Sequence, residues 1–550
     1  MREKLIESLG EEVGVDLPEV RITGVEPAVP SVFPVATAAA VSVGAVTAAA
    51  ALYWTRYGAP ATQARDVAET AEGRGSAEAA TTPEVSVDVR HAVAAFMSER
   101  YFQIDGAGIG LWAPLSGDYR TSDGWVRLHC NFDHHRDAAL RALELPTDAD
   151  RADVSRACES RTSAEIEDAV IREGGCAAAM RGREEWLAHP QAEVVAGSPL
   201  VALSRIGAAP ARAGTLRNRL SPDTIGADRA LSVADTIGAD RALPVSDVTA
   251  AGRALSHRCA FEAAATDSAA PEGLPWGSAL PAPVPSSAAG RAGRPLEGVR
   301  VLDLTRVIAG PVAARILAAH GADVLHVGAA HLPEVPGLVL ETAFGKRSCH
   351  IDLRTEAETL RELVRRADVV IQAYRPGSLD ARGFGPEDLA ELRPGVVCVE
   401  ISAYGSRGPW GRRRGFDSLV QMACGIAHDG GDGARPRPLP CQALDHATGY
   451  LAAFGAVAGL LRRGDEGGSW RVELSLARTA RWLDGLGRSA GGEASHAPHR
   501  MDDLLERMAS SFGVLTYVRP PGRIEGAEPR WASPPPRPGE HPAGWATATG

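Results

Sequence analysis

GVRVLDLTRVIAGPVAARILAAHGADVLHV, residues 298 to 327, is the stretch that decides the fold of this chain. It starts with a short apolar run, Gly298–Thr305, which is typical of a buried strand. Pro311 suits the first turn of a helix, and the helical segment that contains it ends at Gly321. Residues 322–327 (ADVLHV) predict a second strand. The stretch is therefore a strand–helix–strand unit.

Further strands follow at similar spacing, namely RSCHIDL (347–353), ADVVIQAY (367–374) and VVCVEISAY (396–404). Strands that alternate with helical segments predict an α/β fold with a doubly wound parallel sheet. Ligands of such sheets bind beyond the carboxyl ends of the strands. The first strand runs into VIAGPVAARI and not into G-x-G-x-x-G, so a nicotinamide or flavin enzyme is disfavoured.

Composition excludes several classes of protein. The chain has 550 residues, enough for two to four domains, and its net charge of −11 disfavours a protein that neutralises nucleic-acid phosphates. The eight cysteines are scattered without a C-x-x-C pair. This spacing favours neither a disulfide framework nor a zinc site, and we predict no metal and a cytoplasmic protein. The charged start MREKLIESLGEEVG also predicts no signal peptide.

One apolar segment is long enough to cross a membrane. Val35–Trp54 carries no charge, but nearly half of it is Ala, which is only weakly lipophilic. A buried helix inside the protein is therefore favoured over a membrane span.

The composition changes along the chain suggest five regions. Residues 207–294, rich in Ala, Gly, Pro, Ser and Arg, contain the imperfect repeat DTIGADRALSVA/DTIGADRALPVS and predict a flexible linker. Before it we expect a helix and strand region (1–100) and a smaller α+β domain (101–206). After it we expect the parallel-sheet domain (295–490) and a Pro- and Gly-rich C-terminal tail (491–550) that wraps over a surface or frays.

The two halves also share an order of features. Laid without gaps, Phe33–Gly58 matches Leu439–Gly464, and each segment is followed by a strand-like stretch, VSVDVRHA (85–92) or WRVELSLA (470–477). Asp445 falls opposite Ala39 in this overlay. If the halves are copies, only the second carries the acid.

Asp445 lies at the start of an otherwise apolar, Ala- and Gly-rich helix and is followed by His446. A carboxylate there is either an N-cap, worth about 1 kcal/mol, or a reactive group. Position alone favours the cap. His446 is expected to be a solvated or core-edge histidine.

The blocks from Pro295 to about Leu476 resemble the class III CoA-transferases, the family of formyl-CoA transferase, carnitine CoA-transferase and α-methylacyl-CoA racemase. The resemblance is carried, in the family's order and spacing, by the blocks PLEGVRVLDLTRVIAGPVAARILAAHGADV, FGKRSCHIDLRTEAE, ADVVIQAYRPGSLDARGFGPEDLAELRPGVVCVEISAYG, GFDSLVQMACGI and Leu444–Leu461. GDYRTSDGWVRLH and GGCAAAMRGREEWLAHPQ also resemble the family's small domain, which here precedes the large one. The resemblance implies a Rossmann-like doubly wound parallel-sheet domain plus a smaller α+β domain, joined by the flexible linker. It also implies that residues 1–100 are a degenerate remnant of a first CoA-transferase copy.

The family's chemistry implies a role for Asp445 as nucleophile. An aspartate at this place attacks an acyl-CoA thioester and gives a mixed aspartyl anhydride and CoA thiolate; the thiolate then attacks the enzyme-linked acyl group of the acceptor acid. The helix N-terminus is expected to hold the carboxylate ionised. Coenzyme A and acyl-CoA are substrates, and no permanently bound cofactor is implied.

The same resemblance implies where CoA binds. The segment after the ADVVIQAY strand corresponds to the family's CoA site, and FGKRS adds two cations as phosphate partners. The predicted CoA-binding residues are Lys346, Arg347, Tyr374, Arg375, Gly377, Arg382 and Gly383. A solvated surface cation is the alternative for each charged one.

Two departures from the family narrow the reaction. Ile308 stands where formyl-CoA transferase has Gln, so formyl and oxalyl specificity is not supported. Phe416 stands where the racemases have a His base, which favours transfer over racemisation. The sequence therefore predicts a CoA-transferase acting on an acyl-CoA and a carboxylic acid acceptor, with a non-catalytic acyl-CoA-binding or scaffold protein as the alternative. Family members form interlocked homodimers, and the fused halves could instead form a pseudo-dimeric monomer.

Overall fold

Helices and strands alternate along most of the chain. The computed structural model describes residues 1–24, 29–57, 82–211, 293–332, 334–489 and 501–546. Most of the predicted linker, 207–294, lies outside the described residues.

The first half contains short helices and strands around one long helix. Its elements in chain order are α1 (Arg2–Val13), β1 (Val20–Thr23), α2 (Val35–Tyr57), β2 (Val85–Asp88), α3 (Val89–Ala95), α4 (Ser98–Tyr101), β3 (Gln103–Ile104), β4 (Ala107–Gly108), β5 (Gly117–Arg120), β6 (Trp125–Leu128), α5 (Asp133–Ala142), α6 (Arg151–Glu159), α7 (Ser163–Arg172), β7 (Ala177–Ala179), α8 (Arg183–Ala188), α9 (Pro190–Ala196) and β8 (Ala202–Gly207).

The second half is an α/β alternation that ends in a β-rich segment. Its elements are β9 (Arg300–Asp303), α10 (Ala309–Ala319), β10 (Asp323–Gly328), α11 (Pro336–Thr342), β11 (Arg347–His350), α12 (Ala357–Val364), β12 (Val369–Gln372), α13 (Pro386–Leu392), β13 (Val397–Ser402), α14 (Asp417–Ala423), α15 (Ile426–Asp429), α16 (Ala443–Glu466), β14 (Ser469–Ser475), α17 (Leu476–Gly485), β15 (Leu505–Ser510), β16 (Gly513–Val518) and β17 (Arg523–Ile524). Short 3₁₀ helices occupy Asp380–Arg382 and Asp502–Leu504.

A seven-stranded sheet organises the second half, in the order β11-β10-β9-β12-β13-β14-β8. Neighbours from β11 to β14 pair in parallel, and β8 is antiparallel to β14. From β9 the chain moves out to β11, returns to the other side and continues to β14, the strand order of doubly wound sheets. The predicted α/β sheet is confirmed, and the first half adds its edge strand β8.

Both faces of this sheet are covered. Val301 and Val369 belong to the apolar cluster that contains α10 and α16, whereas their neighbours Leu302 and Val370 belong to the cluster that contains α12 and α13. Adjacent residues of a strand point to opposite faces, so each strand contributes to two cores. This explains why the sequence shows continuous apolar runs in place of alternation.

The long apolar segment near the N-terminus is the helix α2, and it is buried. It is the one helix among the described residues that is long and apolar enough to cross a membrane, and its most apolar window is wholly inside the protein. It packs against α16, and their ends are joined where the Tyr57 hydroxyl donates to Asp465 at 2.5 Å and Arg56 pairs with Asp465 at 2.6 Å. The prediction of a buried helix is confirmed.

The two halves repeat one order of elements. The first has α2, β2 and α3, and the second has α16, β14 and α17. In the first half β2 pairs in parallel with β1 and antiparallel with β17. That the halves are copies of one ancestral unit stays a prediction.

A smaller antiparallel sheet, β5-β6-β7, lies within the predicted α+β domain. Its apolar face packs on α5, α6 and α7 through a separate cluster that includes Leu128, Leu140, Val154 and Ile166.

The C-terminal segment has more structure than a fraying tail. β15 and β16 form a hairpin, β16 pairs with β3, and β17 pairs with β2. The buried Trp531 and Trp545 anchor the residues beyond. Pairing with strands some 400 residues earlier in the chain supplies hydrogen bonds that no local pattern announces.

Candidate active site

A cleft of about 690 Å³ opens at the carboxyl ends of β9, β12 and β13. Its wall includes Thr305 after β9, Tyr374 after β12 and Ser402 at the end of β13, together with Asp445. This is the edge at which doubly wound sheets bind ligands, as the sequence predicts.

Asp445 is the third residue of α16, and 7% of its surface is exposed. The N-cap of α16 is Gln442, whose side chain makes no capping bond. The interpretation of Asp445 as an N-cap is therefore wrong. Its carboxylate accepts no hydrogen bond from the described residues and lies on the cleft wall.

The start of α16 is instead capped by Asp417, the first residue of α14. Asp417 is fully buried, and its Oδ2 accepts the backbone N–H of Asp445 at 2.9 Å. It also accepts the backbone N–H of Leu444 and the side-chain amide of Gln421. The free amides of the first turn therefore serve Asp417 and not Asp445.

The electrostatics of Asp445 differ from the expectation that the helix N-terminus keeps it ionised. Burial, Asp417 and Glu99 together raise the pKa of Asp445 well above the usual carboxyl value. Burial also raises the pKa of Asp417, but the amides that it accepts oppose this shift. Asp417 is thus the better-stabilised anion of the two, and Asp445 resists ionisation.

Glu99 reaches this site from the first half. It is 4% exposed, and its Oε2 lies 3.0 Å from Nε2 of the fully buried His446. Burial would raise the pKa of Glu99, but the charge and hydrogen bond of His446 lower it on balance. Phe96 stacks on the His446 ring at 5.6 Å. The expectation of a solvated or core-edge His446 is wrong, because its ion-pair partner comes from elsewhere in the chain.

Positive charge collects along the cleft. Arg375, Arg382 and Arg414 line it, and burial together with Arg414 and Arg412 lowers the pKa of Arg375. Neither Arg375 nor Arg382 has an acidic partner among the described residues. Unpaired guanidinium groups at the mouth of a cleft are suited to phosphate groups.

Lys346 and Arg347 lie outside this cleft. The ammonium of Lys346 is buried, donates to Asp303 at 2.8 Å and to the Pro311 carbonyl at 2.9 Å, and thus fixes β9 to α10. Arg347 pairs with Asp323 at 3.2 Å and donates to the Gly544 carbonyl. Both cations are structural here, contrary to the predicted phosphate contacts.

The other predicted residues separate into two groups. Tyr374, Arg375 and Arg382 line the main cleft, while Gly377 lines a neighbouring cavity that shares Tyr374 with it. Gly383 ends the 3₁₀ helix Asp380–Arg382 with φ 74°, a left-handed conformation that favours glycine, and it lines neither cavity. Its role is in the turn.

Phe132, His135 and Phe416 form an aromatic wall of the cleft, and His129 packs behind it. His129 stacks on Phe416 with ring centroids 3.7 Å apart, and His135 and Phe132 pack beside them. Burial lowers the pKa values of His129 and His135 to about 3, so both rings are neutral at neutral pH.

Sequence reasoning missed three groups that meet at Asp445. Asp417 stands in the quoted block GFDSLVQ, and an acidic residue at the start of a helical segment is a usable signal. Glu99 and His446 had no local signal, since 347 positions separate them.

Comparison with known proteins identifies the second half. Residues 296–516 match the family model described as CoA-transferase family III. The resemblance read from the sequence blocks is confirmed.

Curated relatives align over the same region. They include a protein named probable fatty acyl-CoA transferase from Mycobacterium tuberculosis (35% identical, 33% of this chain and 50% of the relative), human succinyl-CoA:glutarate CoA-transferase (33% identical, 33% and 45%) and Streptomyces coelicolor formyl-CoA:oxalate CoA-transferase (30% identical, 43% and 60%). A crystal structure of the mycobacterial protein aligns with 32% identity and a TM-score of 0.33, covering 35% of this chain and 58% of that one. The chain thus spans about half the length of these relatives.

Proposed function

We propose that this protein is a CoA-transferase that moves CoA from an acyl-CoA thioester to a carboxylic acid, with Asp445 as the nucleophile. The observation that carries the proposal is the position of the Asp445 carboxylate, which faces the cleft that contains Arg375 and Arg382 and has no hydrogen-bond donor of its own among the described residues. A group that only stabilised the fold would have its oxygens satisfied.

The cleft supplies a place for each part of CoA. Arg375 and Arg382 would hold its phosphates, and Tyr374 offers a ring on which the adenine can stack. A volume of about 690 Å³ is within the range of cofactor-sized sites. CoA is a substrate here, and the proposed reaction uses no permanently bound cofactor.

The reaction then proceeds in balanced steps. A carboxylate oxygen of Asp445 attacks the thioester carbonyl carbon, the C–S bond breaks, and CoA leaves as the thiolate. The thiolate attacks the anhydride to give an Asp445–CoA thioester and free acid, and the acceptor carboxylate attacks this thioester in turn. This attack releases the CoA thiolate and leaves an anhydride between the acceptor and Asp445. The thiolate then attacks the acceptor carbonyl carbon, which releases the acceptor acyl-CoA and restores the Asp445 carboxylate.

The raised pKa of Asp445 favours the first step. An ionised Asp445 is repelled by Asp417 and Glu99, and this repulsion disappears when acylation converts the anion into a neutral anhydride. Repulsion in the free enzyme is thus relieved as the bond forms, which lowers the barrier.

The decisive experiment is intact-protein mass spectrometry after mixing with a panel of acyl-CoAs, with Asp445→Asn as the matched control. A hydroxylamine-labile adduct that maps to Asp445 and is absent from the variant supports the proposal. CoA binding of equal affinity in both proteins, with no adduct in either, would favour the non-catalytic acyl-CoA-binding protein. We place racemisation behind transfer because Phe416, packed on the neutral His129, supplies no base.

We further propose that one chain forms a pseudo-dimeric monomer. The packing of α2 on α16 within the chain supports this arrangement, since each helix occupies the other's apolar face. Light scattering coupled to size exclusion checks it: a mass near 57.6 kDa supports the monomer, and twice that mass supports the interlocked homodimer.

A further inference from the structure

A further, smaller cavity of about 60 Å³ also has Asp445 in its wall. It shares Val307, Ile308, Phe416 and Asp445 with the arginine-lined cleft. Asp445 therefore lies at the junction of two spaces of very different size and charge. A thioester whose carbonyl carbon meets Asp445, with CoA in the cleft, directs its acyl group into this smaller cavity.

The walls of the small cavity are largely apolar. They are formed by Leu111, Trp112, Val307, Ile308, Leu338 and Phe416. His129 adds an aromatic face, and its low pKa keeps it uncharged. Such walls favour hydrocarbon over polar groups, at roughly 0.8 kcal/mol for each buried methylene.

The polar groups around the cavity are mostly committed elsewhere. Glu99 is paired with His446. Asn131 accepts from the Ala113 amide at 3.0 Å and donates to the Leu111 carbonyl at 2.9 Å, so it holds the loop that carries Trp112. Arg100 is exposed at the rim. The Glu99 carboxylate, whose pKa is lowered, faces the space beside Asp445, and its negative charge disfavours an anionic acyl group there.

We propose that this cavity is the acyl pocket and that it selects a short, uncharged acyl group. About 60 Å³ is room for on the order of four to six water-sized groups, which corresponds to roughly a four-carbon acyl chain. The proposal rests on the proposed function, because it needs the thioester carbon at Asp445.

Trp112 sets the length limit in this arrangement. Its ring lies edge-on to His129 at 6.1 Å, with the Arg127 guanidinium 5.1 Å from its centroid, and 44% of the residue is exposed. It thus closes the pocket at the protein surface. Because it is outside the cores, its replacement removes a wall without removing core packing.

The test measures the initial rate of the hydroxylamine-labile adduct at Asp445 with acetyl-, butyryl-, octanoyl-, palmitoyl- and succinyl-CoA. The native protein is expected to react with acetyl- and butyryl-CoA at least tenfold faster than with palmitoyl- or succinyl-CoA. Trp112→Ala is expected to raise the octanoyl-to-butyryl rate ratio about tenfold. Leu187→Ala, which removes another exposed apolar side chain outside both cavities, should leave this ratio unchanged.

The outcomes separate the pocket from the reaction. Equal rates for all chain lengths, or preference for succinyl-CoA, overturn the acyl pocket and leave the transferase intact. An unchanged chain-length profile in a folded Trp112→Ala or Trp112→Phe variant also overturns it. Absence of any adduct overturns the proposed function, and the acyl pocket with it. The native profile alone decides the matter if both Trp112 variants fail to fold.

Discussion

The backbone N–H of Asp445 donates to Oδ2 of Asp417 across 2.9 Å, so two carboxylates meet at the first turn of α16. One of them uses the helix amides and the other does not. The helix terminus thereby stabilises Asp417 and leaves Asp445, the proposed nucleophile, destabilised as an anion. If Asp445 is acylated, its negative charge disappears and the repulsion by the neighbouring acids is relieved.

Asp417→Asn tests this relationship. The substitution removes the nearest negative charge, so the pKa of Asp445 falls and the pH at half-maximal acylation moves down. The repulsion that acylation relieves is also lost, and we expect the maximal rate to fall about tenfold for each pKa unit of relief removed. The measurement is the pH profile of adduct formation at saturating acyl-CoA. The exposed Asp148→Asn serves as control, and an unchanged profile in Asp417→Asn contradicts the coupling.

The sheet and its cleft could be predicted from the sequence because their signals are local. Each strand from β9 to β13 is an apolar run a few residues long, and parallel pairing places the strand ends at one edge. The position of Asp445 near the start of an apolar helix could also be predicted, because that helix and the blocks around it are continuous in sequence.

Partners distant in sequence were not predictable. Lys346 stands in a short basic motif, and only the fold shows that Asp303 in β9 neutralises it. Glu99 and His446 meet because the first half folds onto the second, and no local pattern encodes that contact. The cytoplasmic compartment and the domain boundaries stay predictions.

Asp445→Asn is expected to stabilise the fold at neutral pH. A carboxyl whose folded pKa is raised contributes stability below the unfolded value, near pH 4, and loses it as the pH rises toward the folded value. Asn has no proton to lose and stays uncharged, so the variant should be more stable than the native protein at pH 7. Thermal unfolding from pH 4.5 to 8 checks this. A melting-temperature difference that does not grow with pH would contradict the raised pKa.

Lys346→Met should lower the stability of the fold and leave CoA binding unchanged, whereas Arg375→Met should do the reverse. Loss of Lys346 leaves the buried Asp303 without its ammonium partner, which costs about 3–5 kcal/mol of unfolding free energy. The His326 imidazole lies 3.5 Å from Asp303. If His326 pairs with Asp303 in the variant, the loss of unfolding free energy will be at the lower end of this range. CoA affinity of the folded fraction should be unchanged.

Arg375→Met should leave the unfolding free energy within about 0.5 kcal/mol and weaken CoA binding about tenfold or more, because a guanidinium–phosphate contact is charge-assisted. Urea unfolding and calorimetric CoA titration of the two variants decide between the roles. Weakened CoA binding in a folded Lys346→Met protein would support the contact between Lys346 and CoA that the sequence predicts.

Glu99→Gln separates electrostatic positioning from simple packing. The acids that face Asp445 are Asp417 from α14 and Glu99 from α4, with His446 beside it on α16 and the rim residue Arg100. Gln keeps a carbonyl oxygen for His446 and removes the charge. We expect the ascending limb of the acylation pH profile to move to lower pH, by less than in Asp417→Asn, since Asp417 raises the Asp445 pKa more.

Glu99→Leu, which breaks the buried pair, should lower the melting temperature. If Glu99→Gln alters stability but leaves the pH profile in place, Glu99 only supports the structure; a shifted profile with a native melting temperature makes it a positioning residue that the first half supplies to the site.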